Sequence, residues 1–169
     1  VEPEKLTSFI ADIGKGEFSG CNVTIPHKES VFNLVAPADD TTRKLGAVNT
    51  VYVRDGRVFG TNTDGEGFIN SLRAGAPQLA LQDKRAVVLG AGGSALSVVN
   101  ALLENGAAEV SVVNRSRERA EALRQRFGKR VAPIDWNSRS DSLAECSLLV
   151  NTTSLGMKGQ PPLDIDLEH

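Results

Sequence analysis

Two ionisable residues lie inside polar clusters in the first half of the chain. Lys28 ends the segment Asn22-Val-Thr-Ile-Pro-His-Lys28, and Asp64 lies in the segment Asn62-Thr-Asp64-Gly-Glu-Gly67. A lysine can take the proton of an alcohol when burial disfavours its charged form, and a carboxylate beside it can hold the same hydroxyl group. The two clusters therefore predict acid–base chemistry, although an isolated Lys or Asp is more often a solvated surface charge.

A glycine-rich turn follows the apolar run of residues 87–89. It fits the pattern Gly-x-Gly-x-x-Ala, in which the first glycine makes the turn, the second lets the backbone approach a pyrophosphate, and the small third residue lets a helix pack on the sheet. The amides at the start of that helix face the phosphates. We therefore expect a dinucleotide cofactor, bound by Gly90, Ala91, Gly92, Gly93 and Ser94. A glycine turn kept only for packing is the alternative.

The end of the next predicted strand indicates which dinucleotide is bound. NAD enzymes usually place an acid there for the ribose 2′-hydroxyl, but this chain has Asn114-Arg115-Ser116-Arg117-Glu118-Arg119. An arginine offers a planar, permanently charged fork to a 2′-phosphate, and the i, i+4 spacing puts Arg115 and Arg119 on one helix face. Ser116 adds a hydroxyl and a helix cap. The pattern favours NADP over NAD, and a solvated basic helix start is the alternative that fits Arg117.

Alternating elements must position these residues in the first part of the chain. Apolar periodicity predicts helices and β-rich runs predict strands, and Asp55-Gly56 is a strong hairpin signal. The predicted helices are residues 4–14, 27–35, a short helix from Asp39 to about Gly46, and one from Thr63 or Asp64 to about Arg73. The predicted strands are residues 21–25, 48–53 and 57–62.

The second part of the chain alternates strand and helix from Arg85 onward. The predicted strands are residues 86–89, 109–113, 130–134 and 147–151, with helices at residues 94–105 and 116–127. Gly75-Ala-Pro-Gln predicts a domain boundary. We therefore expect an α/β protein in which a Rossmann-like, doubly wound NADP-binding domain (residues 78–169, partial) is preceded by part of an α/β substrate-binding domain (residues 1–77).

Composition excludes several other classes of protein. The 169 residues are 40% hydrophobic and 24% charged with a net charge of −2, which gives no electrostatic case for nucleic acid or an anionic membrane. No apolar run approaches the roughly 20 residues of a membrane span. Cys21 and Cys146 are far apart and two histidines do not form a metal site, so we expect reduced thiols, a cytoplasmic protein and no metal. The chain starts at Val1 without a Met, and we expect a piece of a longer protein.

Six motifs together, in order, resemble the shikimate dehydrogenase family. They are Asn22 to Lys28, Gly46-Ala-Val-Asn49-Thr50, Gly60-Thr-Asn-Thr-Asp64-Gly, Gly90-Ala-Gly-Gly-Ser, Asn114-Arg-Ser and Asn151-Thr-Thr-Ser-Leu-Gly-Met157. The resemblance implies reversible, NADP-dependent reduction of 3-dehydroshikimate to shikimate, a step toward chorismate and the aromatic amino acids. It implies small-molecule ligands and a monomer or homodimer.

The resemblance also implies a role for individual residues. Lys28 and Asp64 would be the catalytic pair, Asn49 would hydrogen-bond a substrate hydroxyl, and Thr24 would line the substrate pocket. The residues implied to surround the cofactor are the glycine turn, then Asn114, Arg115, Ser116 and Arg119 at the ribose phosphate, and Thr152 and Met157 toward the nicotinamide. Family members also hold the substrate carboxylate with segments outside this chain, so we expect weak or no turnover from the chain alone.

Two alternative functions remain open at this point, and a third possibility, one module of a multifunctional polypeptide of the same pathway, would leave the chemistry unchanged. A quinate/shikimate dehydrogenase of the same superfamily would accept the extra hydroxyl of quinate and often prefer NAD, which Arg115 and Arg119 disfavour. A non-catalytic metabolite sensor of the same fold would not need to keep Lys28 and Asp64.

Overall fold

The computed structural model describes residues 1–168, and His169, the last residue of the predicted second domain, lies outside the described residues. The chain divides into two compact units, one of Val1–Gly65 and the other from Glu66 onward. This division falls in the first turn of a helix, whereas the sequence places the domain boundary after residue 77. The functional boundary between substrate-binding and dinucleotide-binding parts stays a prediction.

The first unit contains a four-stranded mixed sheet in the order β1-β3-β4-β2. Its strands are β1 (Gly20–Asn22), β2 (Ala36–Pro37), β3 (Thr50–Arg54) and β4 (Arg57–Thr61). The pairs β1–β3 and β3–β4 are antiparallel and β2–β4 is parallel. The predicted hairpin between β3 and β4 is confirmed, because Asp55 and Gly56 have φ angles of 51° and 71°, as the tight turn between such strands requires.

Three helices pack in the first unit, namely α1 (Leu6–Gly14), α2 (Lys28–Phe32) and α3 (Asp40–Leu45). The predicted periodicity of α1 is confirmed, since Leu6, Ile10 and Ile13 are buried in the core of this unit. The helix α2 is shorter than the predicted residues 27–35. Strand β1 covers Gly20–Asn22 instead of the predicted residues 21–25, although the Val23 N–H still donates to the Asn49 carbonyl at 2.7 Å.

The second unit is built on a parallel sheet of four strands in the order β7-β6-β5-β8. The strands are β5 (Arg85–Leu89), β6 (Glu109–Asn114), β7 (Val131–Asp135) and β8 (Leu148–Asn151). Two helices follow the first two strands, α5 (Gly93–Glu104) and α6 (Arg117–Phe127), and all pairings are parallel. The predicted α/β class and doubly wound half are confirmed, because this strand order is that of one half of a dinucleotide-binding sheet.

A further helix, α4 (Asp64–Gly75), starts at the end of the first unit and lies mainly in the second. Its position agrees with the helix predicted from residue 63 or 64 to about Arg73. Across the part of the chain that the structure describes, no helix combines the length and apolarity that a membrane crossing requires. Within the same residues, no group of three or more His, Cys, Asp or Glu side chains is arranged to bind a metal ion.

Candidate active site and cofactor site

The first unit joins Lys28 and Asp64, which are 36 residues apart in sequence. The Lys28 Nζ atom donates to the Asp64 Oδ2 atom at 2.5 Å, and the Lys28 side chain is 11% exposed while that of Asp64 is 28% exposed. Lys28 is the first residue of α2 and Asp64 is the first residue of α4. The pair is therefore sheltered from bulk water, yet Asp64 stays open to a ligand.

Asn49 holds the other oxygen of the Asp64 carboxylate. Its Nδ2 atom donates to Asp64 Oδ1 at 2.8 Å and to Thr63 Oγ1 at 3.0 Å. Its Oδ1 atom accepts from the Thr63 N–H at 3.1 Å and from the Thr50 hydroxyl at 2.9 Å. One of these four hydrogen bonds holds the Asp64 carboxylate, and the other three fix the Asn49 side chain itself against Thr50 and Thr63.

The backbone on both sides of the pair is also held in place. The Val48 N–H donates to the Lys28 carbonyl at 2.8 Å, which fixes the start of α2 beside Asn49. The Asn62 side chain donates to the Ala47 carbonyl at 2.9 Å and accepts from the Asp64 N–H at 3.1 Å. Sequence reasoning gave Asn62 no separate role. The signal that could have identified it is an Asn two residues before a helix-starting Asp, a spacing typical of an Asx turn.

Thr24 and His27 lie on the segment that leads into α2. Thr24 is exposed, and its carbonyl accepts from the His27 N–H at 2.9 Å. The His27 ring is half-buried, and its Nε2 atom lies 2.9 Å from the Val1 carbonyl oxygen rather than at the Lys28–Asp64 pair. This position gives His27 no contact with the predicted acid–base pair. Thr24 remains accessible to a ligand, and its role in a substrate pocket stays a prediction.

In the second unit, the turn after β5 has the backbone that its glycines allow. Gly90 has a φ of +102°, and a Cβ atom there would lie 2.7 Å from Thr152 Oγ1. Gly92 caps α5 in an extended conformation, and a Cβ atom there would meet no atom within 4 Å. Ala95, the small third position of the pattern, is fully buried. The free space over Gly92 is where the motif expects a pyrophosphate to approach the backbone.

The end of β8 lies directly beside this turn. Both the backbone N–H and the hydroxyl group of Thr152 donate to the Leu89 carbonyl, at 2.9 Å and 2.6 Å. Thr152 is thereby fixed at the end of β5, next to Gly90, where a cofactor ligand is expected. Met157 lies in the following turn and is 60% exposed. The structure thus leaves the Met157 side chain unburied, and its contact with a nicotinamide stays a prediction.

The end of β6 carries a small polar network around Ser116. The Asn114 side chain donates to the Ser116 carbonyl at 2.9 Å. The Ser116 hydroxyl caps α6 by accepting from the Arg119 N–H, and it donates to Glu118 Oε2 at 2.7 Å. This bond from Ser116 holds the pKa of the Glu118 carboxyl below its ordinary value. Glu118 therefore keeps a negative charge beside the residues predicted to bind a phosphate.

Arg115 and Arg119 differ from the sequence expectation in one respect. The helix α6 begins at Arg117, so Arg115 precedes it and the i, i+4 argument for a shared helix face is wrong. The Arg115 guanidinium lies over the Trp136 ring instead, 5.5 Å from its centroid. Arg117 pairs with Glu121 at 3.7 Å, whereas no carboxylate among residues 1–168 forms an ion pair with Arg115 or Arg119. Two cations thus remain available to an anionic ligand.

The residues of the second unit fit a dinucleotide. The first N–H groups of α5 have no partner within the helix, the space above Gly92 is open, and Arg115 lacks a competing carboxylate. The pyrophosphate would be held by the Gly90–Ser94 turn, and a 2′-phosphate by Asn114, Arg115, Ser116 and Arg119. The acid–base residues lie in the first unit and the cofactor residues in the second, and the structure brings each group together within its own unit.

Two family models match the chain. Residues 1–51 match the one described as the shikimate dehydrogenase substrate binding domain, and residues 74–157 match the one described as shikimate / quinate 5-dehydrogenase. Curated relatives named shikimate dehydrogenase (NADP(+)) include those of Azorhizobium caulinodans, 48% identical, and Afipia carboxidovorans, 51% identical. Both alignments cover 99% of this chain, which spans 59% and 60% of the two relatives' own lengths.

Solved structures of shikimate dehydrogenases also resemble this chain. Shikimate dehydrogenase from Aquifex aeolicus is 36% identical with a TM-score of 0.85, over 96% of this chain and 58% of that one. Shikimate 5-dehydrogenase from Thermus thermophilus, solved in complex with NADP(H) and shikimate, is also 36% identical. Its TM-score is 0.78, over 94% of this chain and 56% of that one. The likeness extends through both units of the described structure.

Proposed function

This chain belongs to the shikimate dehydrogenase family, and we propose that it forms the acid–base and NADP-binding part of an enzyme that interconverts shikimate and 3-dehydroshikimate. The observation that carries the proposal is the Lys28–Asp64 ion pair, braced by Asn49. We further propose a cytoplasmic enzyme of the route to chorismate and the aromatic amino acids, working as a monomer or homodimer.

Lys28 moves the proton in this proposal. In the reduction direction, the Lys28 ammonium group donates a proton to the carbonyl oxygen of the substrate while a hydride reaches the carbonyl carbon, which yields the hydroxyl group. In the oxidation direction, Lys28 takes that proton back. The nicotinamide of NADP, when bound, supplies or accepts the hydride. General acid–base catalysis of this kind is worth about 10²- to 10⁴-fold in rate.

Asp64 and Asn49 orient the reacting oxygen. Asp64 keeps Lys28 in one position through Oδ2, and its partial exposure leaves it open to accept a hydrogen bond from a substrate hydroxyl. Asn49 holds Oδ1 and lies at the same site. Thr24, exposed at the start of the same segment, contributes to the substrate pocket.

On the cofactor side, the proposal assigns the pyrophosphate to the Gly90–Ser94 turn. It assigns the 2′-phosphate to Asn114, Arg115, Ser116 and Arg119, and the nicotinamide end to Thr152 and Met157. Two unpaired guanidinium groups favour a 2′-phosphate over a bare 2′-hydroxyl. NADP is therefore the proposed cofactor.

The test is nicotinamide reduction at alkaline pH with shikimate or quinate, each with NADP or NAD. It should use the chain alone and the chain extended at both ends to the length of its relatives. Turnover with shikimate and NADP is expected in the extended protein, where Lys28→Ala should lower kcat by about 10²- to 10⁴-fold. Lys15→Ala is the matched control, since it removes an exposed lysine paired with Asp12 at 2.9 Å. Ligand binding without turnover in the extended protein would contradict the enzyme function and favour a sensor.

Quinate is the second candidate substrate, because the matched family model is described for both compounds. Turnover of quinate with NAD at least as fast as shikimate with NADP would replace the first proposal by the quinate-type activity. Turnover confined to shikimate and NADP would exclude it.

A further inference from the structure

We infer that Trp136 is a positioning residue that holds the Arg115 guanidinium for a 2′-phosphate, and that it thereby sets the preference for NADP over NAD. The inference rests on the proposed NADP function and adds a residue that neither the motifs nor the matches identify. Trp136 is the one tryptophan of the chain. Sequence analysis left it without a functional role.

The strand register brings the two residues side by side. In the pairing of β6 with β7, Asn114 lies opposite Asp135, the last residue of each strand. Arg115 follows directly after β6 and Trp136 directly after β7. Both residues therefore lie at the carboxyl edge of the parallel sheet. The Arg115 Cζ atom is 5.5 Å from the centroid of the Trp136 ring, within the range of a cation–π contact.

Contacts with other residues hold the Trp136 ring in place. It packs against the core cluster of Val87, Leu89, Val113 and Leu143. Arg139 lies over the same ring, also 5.5 Å from the centroid, and donates to the Trp136 carbonyl at 3.2 Å. Arg139 is anchored in turn by the Asp164 carbonyl at 2.5 Å and by its carboxylate at 3.3 Å. The ring is thus a fixed surface rather than a mobile side chain.

A ring has a specific advantage over a carboxylate as the partner of Arg115. A carboxylate would occupy the N–H fork of the guanidinium and would repel a 2′-phosphate. An aromatic face attracts the cation without accepting those N–H groups, so the fork stays available to phosphate oxygens. Holding an exposed arginine near one position also lowers the side-chain entropy lost when the ligand binds. The contact therefore favours a ligand that carries the 2′-phosphate and is neutral toward one that lacks it.

The test compares the binding of NADPH and NADH, which differ only in that phosphate, and needs no turnover. Trp136→Leu should weaken NADPH binding by about threefold to tenfold and leave NADH binding unchanged. Trp136→Phe keeps an aromatic face and should recover most of the loss. Tyr52→Leu is the matched control, because Arg54 lies 5.5 Å from the Tyr52 centroid in the first unit. It should leave both affinities unchanged.

A double-mutant cycle separates positioning from general packing. In an Arg115→Ala background, Trp136→Leu should no longer alter the ratio of NADPH to NADH affinity. A measurement that leaves the tryptophan in place covers the case in which Trp136→Leu does not fold. Adenosine 2′,5′-bisphosphate should change the Trp136 fluorescence of the wild-type protein and should not do so in Arg115→Ala.

The outcomes distinguish the inference from the proposed function. If the wild-type protein binds NADPH no more tightly than NADH, the cofactor assignment and the inference both fail. If the wild-type preference persists undiminished in Trp136→Leu, or if both cofactors weaken equally, the inference alone is overturned. The same holds if Trp136→Phe does not recover the preference, or if the fluorescence change survives in Arg115→Ala.

Discussion

The Asn49 amide nitrogen lies 2.8 Å from Asp64 Oδ1, on the oxygen that Lys28 does not occupy. The carboxylate is therefore held on both sides, by a neutral donor and by a cation. Asn49 comes directly after Ala47 and Val48 in the sequence. Because both of these residues are buried, the core of the first unit sets the position of Asn49. The geometry of the acid–base pair thus depends on an amide that carries no charge.

Replacing Asn49 by Ala should reduce both activity and stability. The change leaves Asp64 Oδ1, the Thr63 N–H and the Thr50 hydroxyl without their partner, and an unsatisfied sheltered group costs about 1–3 kcal/mol. We expect the free energy of unfolding to fall by an amount in this range and kcat to fall by at least tenfold. Denaturant titration and shikimate oxidation measure the two effects.

Asn33→Ala is the control for that change, since Asn33 is exposed and its side chain donates to a single described residue, through the Glu29 carbonyl at 3.4 Å. It should leave both quantities unchanged. An Asn49→Ala protein with wild-type kcat would show that Asn49 does not align Asp64 for catalysis, whatever its stability.

In the second unit, the strands and α-helices from Arg85 onward could be predicted from the sequence to within about one residue at each end. The strands are short apolar runs, and Gly106 and Gly128 follow the two helices as expected, with φ angles of 93° and 89°. In a parallel sheet both faces are covered, so apolar runs identify the strands directly. The glycine turn follows from the same local pattern, and these elements needed no knowledge of tertiary contacts.

The parts that sequence could not supply depend on pairing between distant residues. The contact of Arg115 with Trp136 requires the β6–β7 register, which the separate strands do not reveal. The early end of α2 and the role of Asn62 are also set by contacts with other segments. Lys28 and Asp64 could be proposed as a pair from their motifs, but only the fold brings them within 2.5 Å of each other.

Two glycines of the turn should respond differently to substitution by Ala. Gly90→Ala forces a side chain into a φ of +102° and against Thr152 Oγ1, so stability should fall by about 1–3 kcal/mol and NADPH binding should fall with it. Gly92→Ala meets no protein atom within 4 Å, so the fold should persist with a loss of at most about 1 kcal/mol, because Ala is a poorer helix N-cap than Gly. Its methyl group should nonetheless obstruct the pyrophosphate and weaken NADPH binding.

Thermal unfolding and NADPH titration of both variants check this contrast. Each variant serves as the control for the other. The added methyl group of Gly90→Ala meets protein atoms, whereas that of Gly92→Ala enters the open space proposed for the pyrophosphate. Tight NADPH binding by Gly92→Ala would show that the pyrophosphate does not approach the backbone there.

The Asp39 carboxylate should make the first unit sensitive to acid. Asp39 accepts from the Thr42 N–H at 2.6 Å and from the Thr61 hydroxyl at 2.9 Å, which joins the start of α3 to β4. Partial burial raises the pKa of this carboxyl, but the bond from Thr42, the bond from Thr61 and the charge of Arg43 outweigh it and hold the pKa below the ordinary 3.8.

A lowered folded-state pKa stabilises the protein above the unfolded pKa, and that contribution is lost as pH falls through the folded value. The free energy of unfolding should therefore decline between about pH 5 and pH 2 more steeply in the wild type than in Asp39→Asn. Asp40→Asn, which removes a neighbouring exposed carboxylate, should keep the wild-type slope. Parallel slopes for wild type and Asp39→Asn would contradict this assignment.

Glu118 should limit the affinity for NADPH. Its carboxylate accepts a hydrogen bond from the Ser116 hydroxyl at 2.7 Å, and this bond holds the pKa of the Glu118 carboxyl below its ordinary value, so the group stays charged. A phosphate bound beside Ser116 and Arg119 is repelled by this charge and must compete for the same hydroxyl. Glu118→Gln should therefore tighten NADPH binding by about two- to fivefold and leave NADH binding nearly unchanged.

Fluorescence titration of both cofactors at low and high salt measures the effect, which should shrink as salt screens the charge. Glu121→Gln is the matched control, because it removes the same charge further along α6, where Glu121 pairs with Arg117 at 3.7 Å. A gain of equal size in both variants would indicate a general change in net charge. A gain in Glu118→Gln alone would place the 2′-phosphate next to the Ser116 hydroxyl. Only at that position would the Glu118 carboxylate both repel the phosphate and compete with it for the hydrogen bond from Ser116.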